Sequence, residues 1–174
     1  MSYANILRGL RSPDPAPLYV QRKLMNAKEF IDWAKGQGFA KVLAPEELHV
    51  TVCYSREATD WGAAGNATAN LTVTGGERVV APLGDSGAVV LKFESDSLQK
   101  RWSEFRAAGA SWDYESYQPH VTITYKNGDL DLTGVEPYAG RLVFGPEIYE
   151  PINESYAEDV VEKQEFARIL QPKT

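Results

Sequence analysis

Apolar and polar residues follow two different periods along this chain of 174 residues, and together the periods predict an α+β fold. Short apolar runs rich in β-branched residues and bounded by glycine, proline or asparagine are typical of strands. Seven segments fit this description: 18–20, 48–54, 71–74, 78–82, 87–93, 120–125 and 141–144. The segments 71–74 and 78–82 lie on either side of a predicted turn at Gly75-Gly76.

Two further stretches, 27–37 and about 97–108, place their apolar residues at helical spacing. Each begins after a residue that favours a helix N-cap and ends before a glycine, which favours the C-terminal stop. The caps and stops are Asn26 and Gly38 for the first helix, and Ser95 or Asp96 and Gly109 for the second.

The order of these elements repeats once. Strand, helix and strand follow one another over 18–54 and again over 88–125. This weak internal repeat predicts one domain over 1–174, built from two related halves of about 18–70 and 85–150 that can interleave. A duplicated unit of this kind would place two sheets around a central cleft. Beyond the repeat, Val160-Val161 and Phe166 indicate one more strand or a short helix.

The only two histidines of the chain lie in matching motifs, one in each half. His49-Val50-Thr51 is part of ELHVTVCYS, and His120-Val121-Thr122 is part of QPHVTITY. Side chains two apart on a strand share a face, so each histidine points the same way as its threonine. One such motif is usually an ordinary core or surface histidine, but two at equivalent positions of a repeat indicate an acid–base site that cleaves phosphodiesters.

Composition and charge exclude several kinds of function. A net charge of −6 argues against binding to long nucleic acid, which needs a basic surface, but it permits a small anionic ligand in a locally basic site. No apolar run approaches the roughly 20 residues that span a bilayer, so no membrane association is expected. The N-terminus lacks the apolar core of a signal peptide. We therefore expect a cytoplasmic protein, and nothing in the sequence predicts its oligomeric state.

The sequence also argues against a cofactor. Two histidines and one cysteine do not make a spaced zinc set, and Gly75-Gly76 lacks the Gly-Lys-Ser/Thr of a phosphate-binding loop. Cys53 cannot form an internal disulfide, and alternation along the strand places it on the face of His49 as a half-buried apolar residue. These observations favour acid–base chemistry with no metal and no cofactor.

Beyond these inferences, the chain resembles the two-histidine phosphoesterase superfamily, whose two lobes each carry a His-x-Thr/Ser motif. Within it, the chain looks most like the phage anti-CBASS nucleases, which destroy the cyclic oligonucleotide signals of bacterial immunity. The resemblance covers about residues 17–150. Besides the two motifs, it rests on the strings PLYVQRKLMNAKEF and FGPE, the latter at 144–147.

The resemblance implies a bilobal α+β fold of two pseudo-symmetric antiparallel sheets with flanking helices. It implies that the partners are cyclic di- or trinucleotides such as cGAMP or cyclic tri-AMP, met in the cytoplasm of the bacterial host. It also implies that Tyr19 contacts a base, and that Glu147, expected just after a strand, contacts an adenine edge.

Other residues near the motifs have two interpretations each. Tyr117 belongs to an aromatic cluster, with Trp112 and Tyr114, whose default role is core packing but whose faces could stack a base. Arg22 and Lys23 could meet phosphate or be solvated. Trp61 lies in the Gly- and Asn-rich loop 57–70, which could cover the cleft as a lid.

The chemistry expected of the two motifs is cleavage of an RNA-like phosphodiester by its own 2′-hydroxyl. One histidine would take the hydroxyl proton and the other would protonate the leaving 5′-oxygen, and the sequence does not distinguish the two roles. Thr51 and Thr122 would donate hydrogen bonds to the phosphoryl oxygens. Two alternatives stay open: a phosphodiesterase for RNA 2′,3′-cyclic ends or 2′,5′-oligoadenylate, and a non-catalytic cyclic-nucleotide sponge.

Overall fold

The structure is a computed structural model that describes residues 16–84, 87–128 and 130–152. The final strand or helix predicted around 160–166 lies outside these residues. The described chain forms seven strands and two helices: β1 (Ala16–Leu24), α1 (Ala27–Gly36), β2 (His49–Thr59), β3 (Leu71–Val73), β4 (Val79–Leu83), β5 (Ala88–Lys92), α2 (Asp96–Ala107), β6 (His120–Thr124) and β7 (Leu142–Glu150).

The strands form one antiparallel sheet in the order β3-β7-β1-β2-β6-β5-β4. Its two halves, β3-β7-β1-β2 and β6-β5-β4, are joined by the single register pair Val50–Val121 between β2 and β6. The predicted α+β fold is confirmed, but the two expected sheets are hydrogen-bonded into one. β7 follows the second motif in sequence but lies beside β1, so the halves of the chain interleave in space.

The two strands around Gly75-Gly76 do not form a hairpin. Both glycines adopt positive φ, 68° and 79°, and the turn is present. However, β3 pairs with β7 and β4 pairs with β5, at opposite ends of the strand order. A flat sheet of seven strands would be about 29 Å wide, whereas the connection 74–78 spans roughly 20 Å at most. The sheet must therefore curl so that its two ends approach each other.

Both helices form where the sequence predicts them, but only one is capped as expected. The Ser95 side chain accepts a hydrogen bond from the Leu98 backbone N–H at 3.2 Å and caps α2. Asn26 precedes α1 without a side-chain cap bond. Its amide instead donates to the Arg141 carbonyl at 2.8 Å and accepts from the Val143 N–H at 3.0 Å. Asn26 thus ties the β1–α1 corner to the start of β7.

The strand predicted over 141–144 is longer than expected and runs to Glu150. From the sequence alone, Gly145-Pro146 indicates the end of a strand, since the proline nitrogen cannot donate to a ladder. In the structure β3 pairs only with the first three residues of β7. Pro146 lies where β7 has one extra residue opposite β1, between the register pairs Arg22–Glu147 and Leu24–Phe144, and a bulge of this kind accommodates proline. As a result Glu147 lies within a strand rather than after one.

A β-bulge in β2 changes the side on which Cys53 lies. The β1–β2 register pairs Gln21 with Thr51 but Val20 with Cys53, so Val52 is an extra residue on β2. Beyond the bulge the alternation is shifted by one. Cys53 is buried on the face opposite to His49 and Thr51, and the prediction that it shares their face is wrong.

Two faces of the sheet have different roles. The face that carries the four motif side chains is called the site face here. The opposite face carries Val50 and Val121 and forms the core, in which these fully buried side chains meet: Leu18, Val20, Leu48, Val50, Val52, Leu91, Val121 and Ile123. Burial of each such side chain contributes about 1.5–3 kcal/mol.

The core also includes Trp61 of the loop 57–70. Trp61 is 2% exposed and its indole N–H donates to the Ala16 carbonyl at 3.0 Å. Its ring meets the edge of Tyr149 at 6.3 Å between centroids. The lid interpretation of Trp61 is therefore wrong, because the indole anchors its loop in the core.

Candidate active site

The four motif side chains meet where the two half-sheets join. Val50 and Val121 are directly opposite each other, and their neighbours along the strands point to the site face. Continuing this antiparallel register by one residue places His49 opposite Thr122 and Thr51 opposite His120. Opposed residues have Cα atoms roughly 4.5–5.5 Å apart. The histidines occupy one diagonal of a small square and the threonines the other, about a pseudo-twofold axis.

The two histidine rings are held in the same way. His49 Nδ1 lies 2.8 Å from the Glu47 carbonyl, and His120 Nδ1 lies 2.9 Å from the Gln118 carbonyl. A carbonyl can only accept, so Nδ1 carries the proton in each neutral ring. In each ring Nε2 is then the nitrogen that can take a proton, or give one from the imidazolium. Repetition of this geometry at both motifs fixes two acid–base groups at one place.

The electrostatic surroundings of the histidines differ in degree. His49 is 8% exposed, and burial lowers its pKa to about 4, helped by the charges of Lys23 and His120. His120 is half-buried, and burial together with the charge of Lys92 lowers its pKa as well. Both rings therefore favour the neutral form before an anionic ligand is present, and His49 does so more strongly.

Each threonine is paired with a tyrosine hydroxyl. Tyr19 Oη lies 3.2 Å from Thr51 Oγ1, and Tyr125 makes a side-chain hydrogen bond with Thr122. Burial raises the pKa of both tyrosines, so both phenols stay protonated and can donate. A threonine that accepts from tyrosine keeps its own O–H available to donate to a phosphoryl oxygen. The oxyanion-stabilising role predicted for the threonines thus has a supporting hydrogen bond on each side.

Tyr19 and Tyr117, both predicted to contact substrate, lie beside the motifs in different settings. Tyr19 is on the site face, with its ring edge-on to His49 at 6.3 Å between centroids. Tyr117 is 5% exposed, stacks on Trp102 at 5.8 Å and donates to the Thr51 carbonyl at 2.6 Å. Tyr117 therefore supports the backbone of β2. Base contact by either residue stays a prediction, and the position of Tyr19 suits it better.

Glu147 does not lie with the motif side chains. It is directly across from Arg22 on the opposite face of the sheet. Its side chain has no exposed surface and is paired with Arg101 of α2 at 2.7 Å. It also accepts from the Ala67 N–H at 3.1 Å. The structure therefore does not support the expected contact between Glu147 and an adenine edge.

Arg22 is likewise neither solvated nor available to phosphate. It is buried and donates to the carbonyls of Ala69 and Gly145 at 2.9 and 2.8 Å. Together with the Arg101–Glu147 pair, it holds the loop 60–70 against the opposite face.

The carboxylate that shares the site face is Glu150, which the sequence reasoning missed. The β1–β7 register places Glu150 across from Tyr19, and the β1–β2 register places Gln21 across from Thr51. The Gln21 amide donates to Glu150 Oε1. Gln21 is 4% exposed, and its Oε1 has no hydrogen-bond partner among the residues that the structure describes. Only the long-range register of β7, which no local pattern shows, could have identified this pair.

Two lysines flank the histidines. Lys23 of β1 is directly across from His49, and Lys92 of β5 is directly across from His120. Lys23 donates to the Glu46 carbonyl at 2.9 Å. The sequence singled out Lys23 but not Lys92, whose strand pairing brings it to the site.

Within the described ranges, no group of three or more His, Cys, Asp or Glu side chains is placed to hold a metal ion. In the same ranges no helix has the length and apolar character needed to cross a membrane.

Comparison with known families and proteins agrees with this geometry. A family model described as anti-CBASS protein Acb1 matches residues 16–159. The chain belongs to this family. An anti-CBASS protein Acb1 of Caulobacter sp. (strain RHG1) is 57% identical over 160 residues, covering 89% of this chain and 26% of that protein. One of Yersinia phage phiR1-RT is 35% identical over 115 residues, covering 66% of this chain and 73% of that protein.

The fold also has a solved counterpart. The crystal structure of E. coli LigT complexed with ATP superposes with a TM-score of 0.52 and 16% sequence identity, covering 81% of this chain and 96% of that one. This likeness confirms the predicted two-histidine phosphoesterase fold. The chain spans about a quarter of the length of the Caulobacter relative and most of the phage relative.

Proposed function

We propose that this chain is a metal-independent phosphodiesterase that opens the cyclic di- or trinucleotide signals of CBASS defence, such as cGAMP or cyclic tri-AMP. The observation that carries the proposal is the pair of histidines related by pseudo-symmetry, each with Nδ1 bonded to the carbonyl two residues before it. Membership of the anti-CBASS Acb1 family supports the class of substrate. The phage relative supports action in the cytoplasm of a bacterial host.

The reaction we propose is attack by the 2′-hydroxyl of the substrate on the adjacent phosphorus. The O2′–P bond forms and the P–O5′ bond breaks. One histidine Nε2 takes the proton from O2′, and the other gives a proton to the departing O5′. The ring opens to a linear chain that ends in a 2′,3′-cyclic phosphate on one side and a free 5′-hydroxyl on the other.

We assign the base to His49 and the acid to His120. A general base must be neutral before the reaction, and the deeper burial of His49 keeps it so. A general acid must carry a proton. Protonation costs less free energy at the half-buried His120 than at His49, because the charge on His120 stays better hydrated. The negative charge of a bound phosphate would raise the pKa of both rings and bring the pKa of His120 toward neutrality.

The threonines stabilise the charge that develops on the phosphoryl oxygens. Thr51 and Thr122 lie on the second diagonal of the square, so one hydroxyl is available on each side of the phosphate. Loss of a single oxyanion donor typically costs about 10²–10³ in rate. The phenols of Tyr19 and Tyr125 orient these hydroxyls.

We place one base of the substrate next to Tyr19, where the site face carries Gln21 and Glu150 as acceptors. The buried Gln21 Oε1 without a described partner can accept from an exocyclic amine of a purine. The Tyr19 ring offers the apolar edge against which a base can rest.

The test of the proposal is incubation of the protein with cyclic di- and trinucleotides in excess EDTA, with chromatographic separation of the products. We expect linear products bearing a 2′,3′-cyclic phosphate, formed at the same rate with and without EDTA. A substrate with 2′-deoxyribose at the cleaved step should resist. Hydrolysis of the deoxy ring as fast as the ribo ring would show that water is the nucleophile and would contradict the proposal.

A further inference from the structure

Lys23 and Lys92 occupy equivalent positions on the two sides of the site. Lys23 lies across from His49 in the β1–β2 ladder, and Lys92 lies across from His120 in the β5–β6 ladder. The axis that relates the two histidine motifs therefore relates the two lysines as well. Directly opposed residues in an antiparallel pair project from the same face. Both lysine side chains thus belong to the site face.

Neither lysine is neutralised by the protein. In residues 16–84, 87–128 and 130–152, neither forms an ion pair with a carboxylate, although the chain has a net charge of −6. Lys23 uses one N–H on the Glu46 carbonyl, which leaves two donors of its ammonium. Lys92 is half-buried, and no hydrogen bond of its ammonium to a described residue is present. Their charges act on the neighbouring histidines, which places them close to the reacting centre.

The lysines lie outside the square of histidines and threonines. β1 and β5 are separated by β2 and β6, so their Cα atoms are about three strand spacings apart, on the order of 14 Å in a flat sheet. The scissile phosphate belongs at the centre, between the histidines. The ammonium groups flank that centre, one on each side, at a place that suits neighbouring phosphates of the same molecule.

We propose that Lys23 and Lys92 bind the non-scissile phosphates of the ring, so that the site selects molecules with two or more phosphodiester groups. The inference rests on the proposed function and adds the feature by which the site recognises its substrate, namely the presence of more than one phosphodiester group. An ammonium is a compact charge with several donors and suits a phosphate that must be held but not activated. A ring of nucleotides carries such phosphates, whereas a mononucleotide does not.

The experiment measures binding in a His120→Ala background, in which the ring is not consumed. Dissociation constants are determined by titration calorimetry for cyclic tri-AMP and for adenosine 3′-monophosphate, which has one phosphate. The variants are Lys23→Gln, Lys92→Gln and both together. Lys28→Gln is the matched control, because Lys28 is exposed on α1 and paired with Asp32 at 2.7 Å.

We expect each site variant to weaken binding of cyclic tri-AMP about 10-fold or more, and the double variant to weaken it further, since each removes a charge-assisted contact. Binding of the monophosphate should change less than about twofold, and Lys28→Gln should change neither. Lys92→Arg should retain most of the ring affinity. The ring affinity should also fall more steeply with salt in the parent than in the double variant.

Equal weakening of the ring and the monophosphate would overturn the inference, because the lysines would then act on the phosphate between the histidines. Unchanged ring affinity in the double variant would also overturn it. Turnover by the unmodified protein is a separate result. If it binds the ring through the lysines but does not cleave it, the proposed function fails and this inference stands.

Discussion

The two halves of the site are built alike around the two histidines. In each half a histidine has its Nδ1 bonded to the carbonyl two residues before it. A lysine lies directly across from each histidine, at Lys23 and Lys92. This repetition suits a reaction in which one proton is removed and another is supplied on opposite sides of one phosphate.

The halves differ one step away from the histidines. Thr51 has the polar Gln21 across from it, whereas Thr122 has the aliphatic Val90. The half-sheet of His49 also carries Tyr19 and Glu150 on the site face. The comparison teaches that the residues proposed as catalytic obey the pseudo-symmetry and that the residues proposed to recognise a base break it.

The largest effect is expected from removal of either histidine. His49→Ala and His120→Ala should each reduce turnover of a cyclic dinucleotide by about 10²–10⁴-fold, the range for loss of a general acid or base. The measurement is product formation by chromatography, with thermal unfolding as a check on folding. If either variant kept nearly full turnover, the shared role of the two halves would be wrong.

The two glutamates of β7 should separate stability from recognition. Glu147→Gln leaves the half-buried Arg101 with only the exposed Glu104 as a counter-charge and should cost about 3 kcal/mol of the free energy of unfolding. Glu150→Gln is the matched variant on the site face and should leave stability nearly unchanged while raising KM. Denaturant unfolding and steady-state kinetics check both. A rise in KM for Glu147→Gln without loss of stability would reverse the assignment of the two residues.

Replacement of the threonines should be milder than replacement of the histidines. Thr51→Val and Thr122→Val keep the shape but remove one oxyanion donor each, so we expect kcat to fall by roughly 10²–10³-fold. Thr72→Val, at an exposed position of β3, is the control and should be neutral. Full kcat in both site variants would remove the role proposed for the hydroxyls.

A smaller effect is expected in the pH dependence of the free energy of unfolding, because His49 is buried in the folded chain and exposed to solvent in the unfolded chain. Since its pKa falls from 6.5 to about 4 on folding, the unfolded state binds the proton first as pH decreases. Stability is therefore fully present above pH 6.5 and is lost toward pH 4, by about 3 kcal/mol.

In denaturant titrations at pH 7, 5 and 4, the variant His49→Asn should lose less stability than the parent. Its amide can still donate to the Glu47 carbonyl. The same pH dependence in parent and variant would contradict the burial argument.

The motif residues were predictable because they depend only on local period. A repeat of two places His49 with Thr51 and His120 with Thr122, and the structure keeps both pairs on strands. What could not be predicted depends on long-range register. Local alternation cannot show the bulge that turns Cys53 away from the site, or the pairing that brings Lys92 to it.

Glu147 illustrates the same limit. Gly145-Pro146 indicates the end of a strand, yet β7 continues because a bulge opposite β1 accommodates the proline. The face on which each later carboxylate lies then follows from the register with β1. A cross-strand register, rather than any feature of the FGPE string, places Glu150 on the site face and Glu147 on the other.

The most direct test of separate roles for the two histidines uses adenosine 3′-(4-nitrophenyl phosphate), whose leaving group departs without a proton. The 2′-hydroxyl still needs a base, so His49→Ala should remain slowed by about 10²-fold or more, while His120→Ala should come within about tenfold of the parent rate. Release of nitrophenolate gives both rates in one assay. Equal losses in the two variants, or the larger loss in His120→Ala, would contradict the assignment of base and acid.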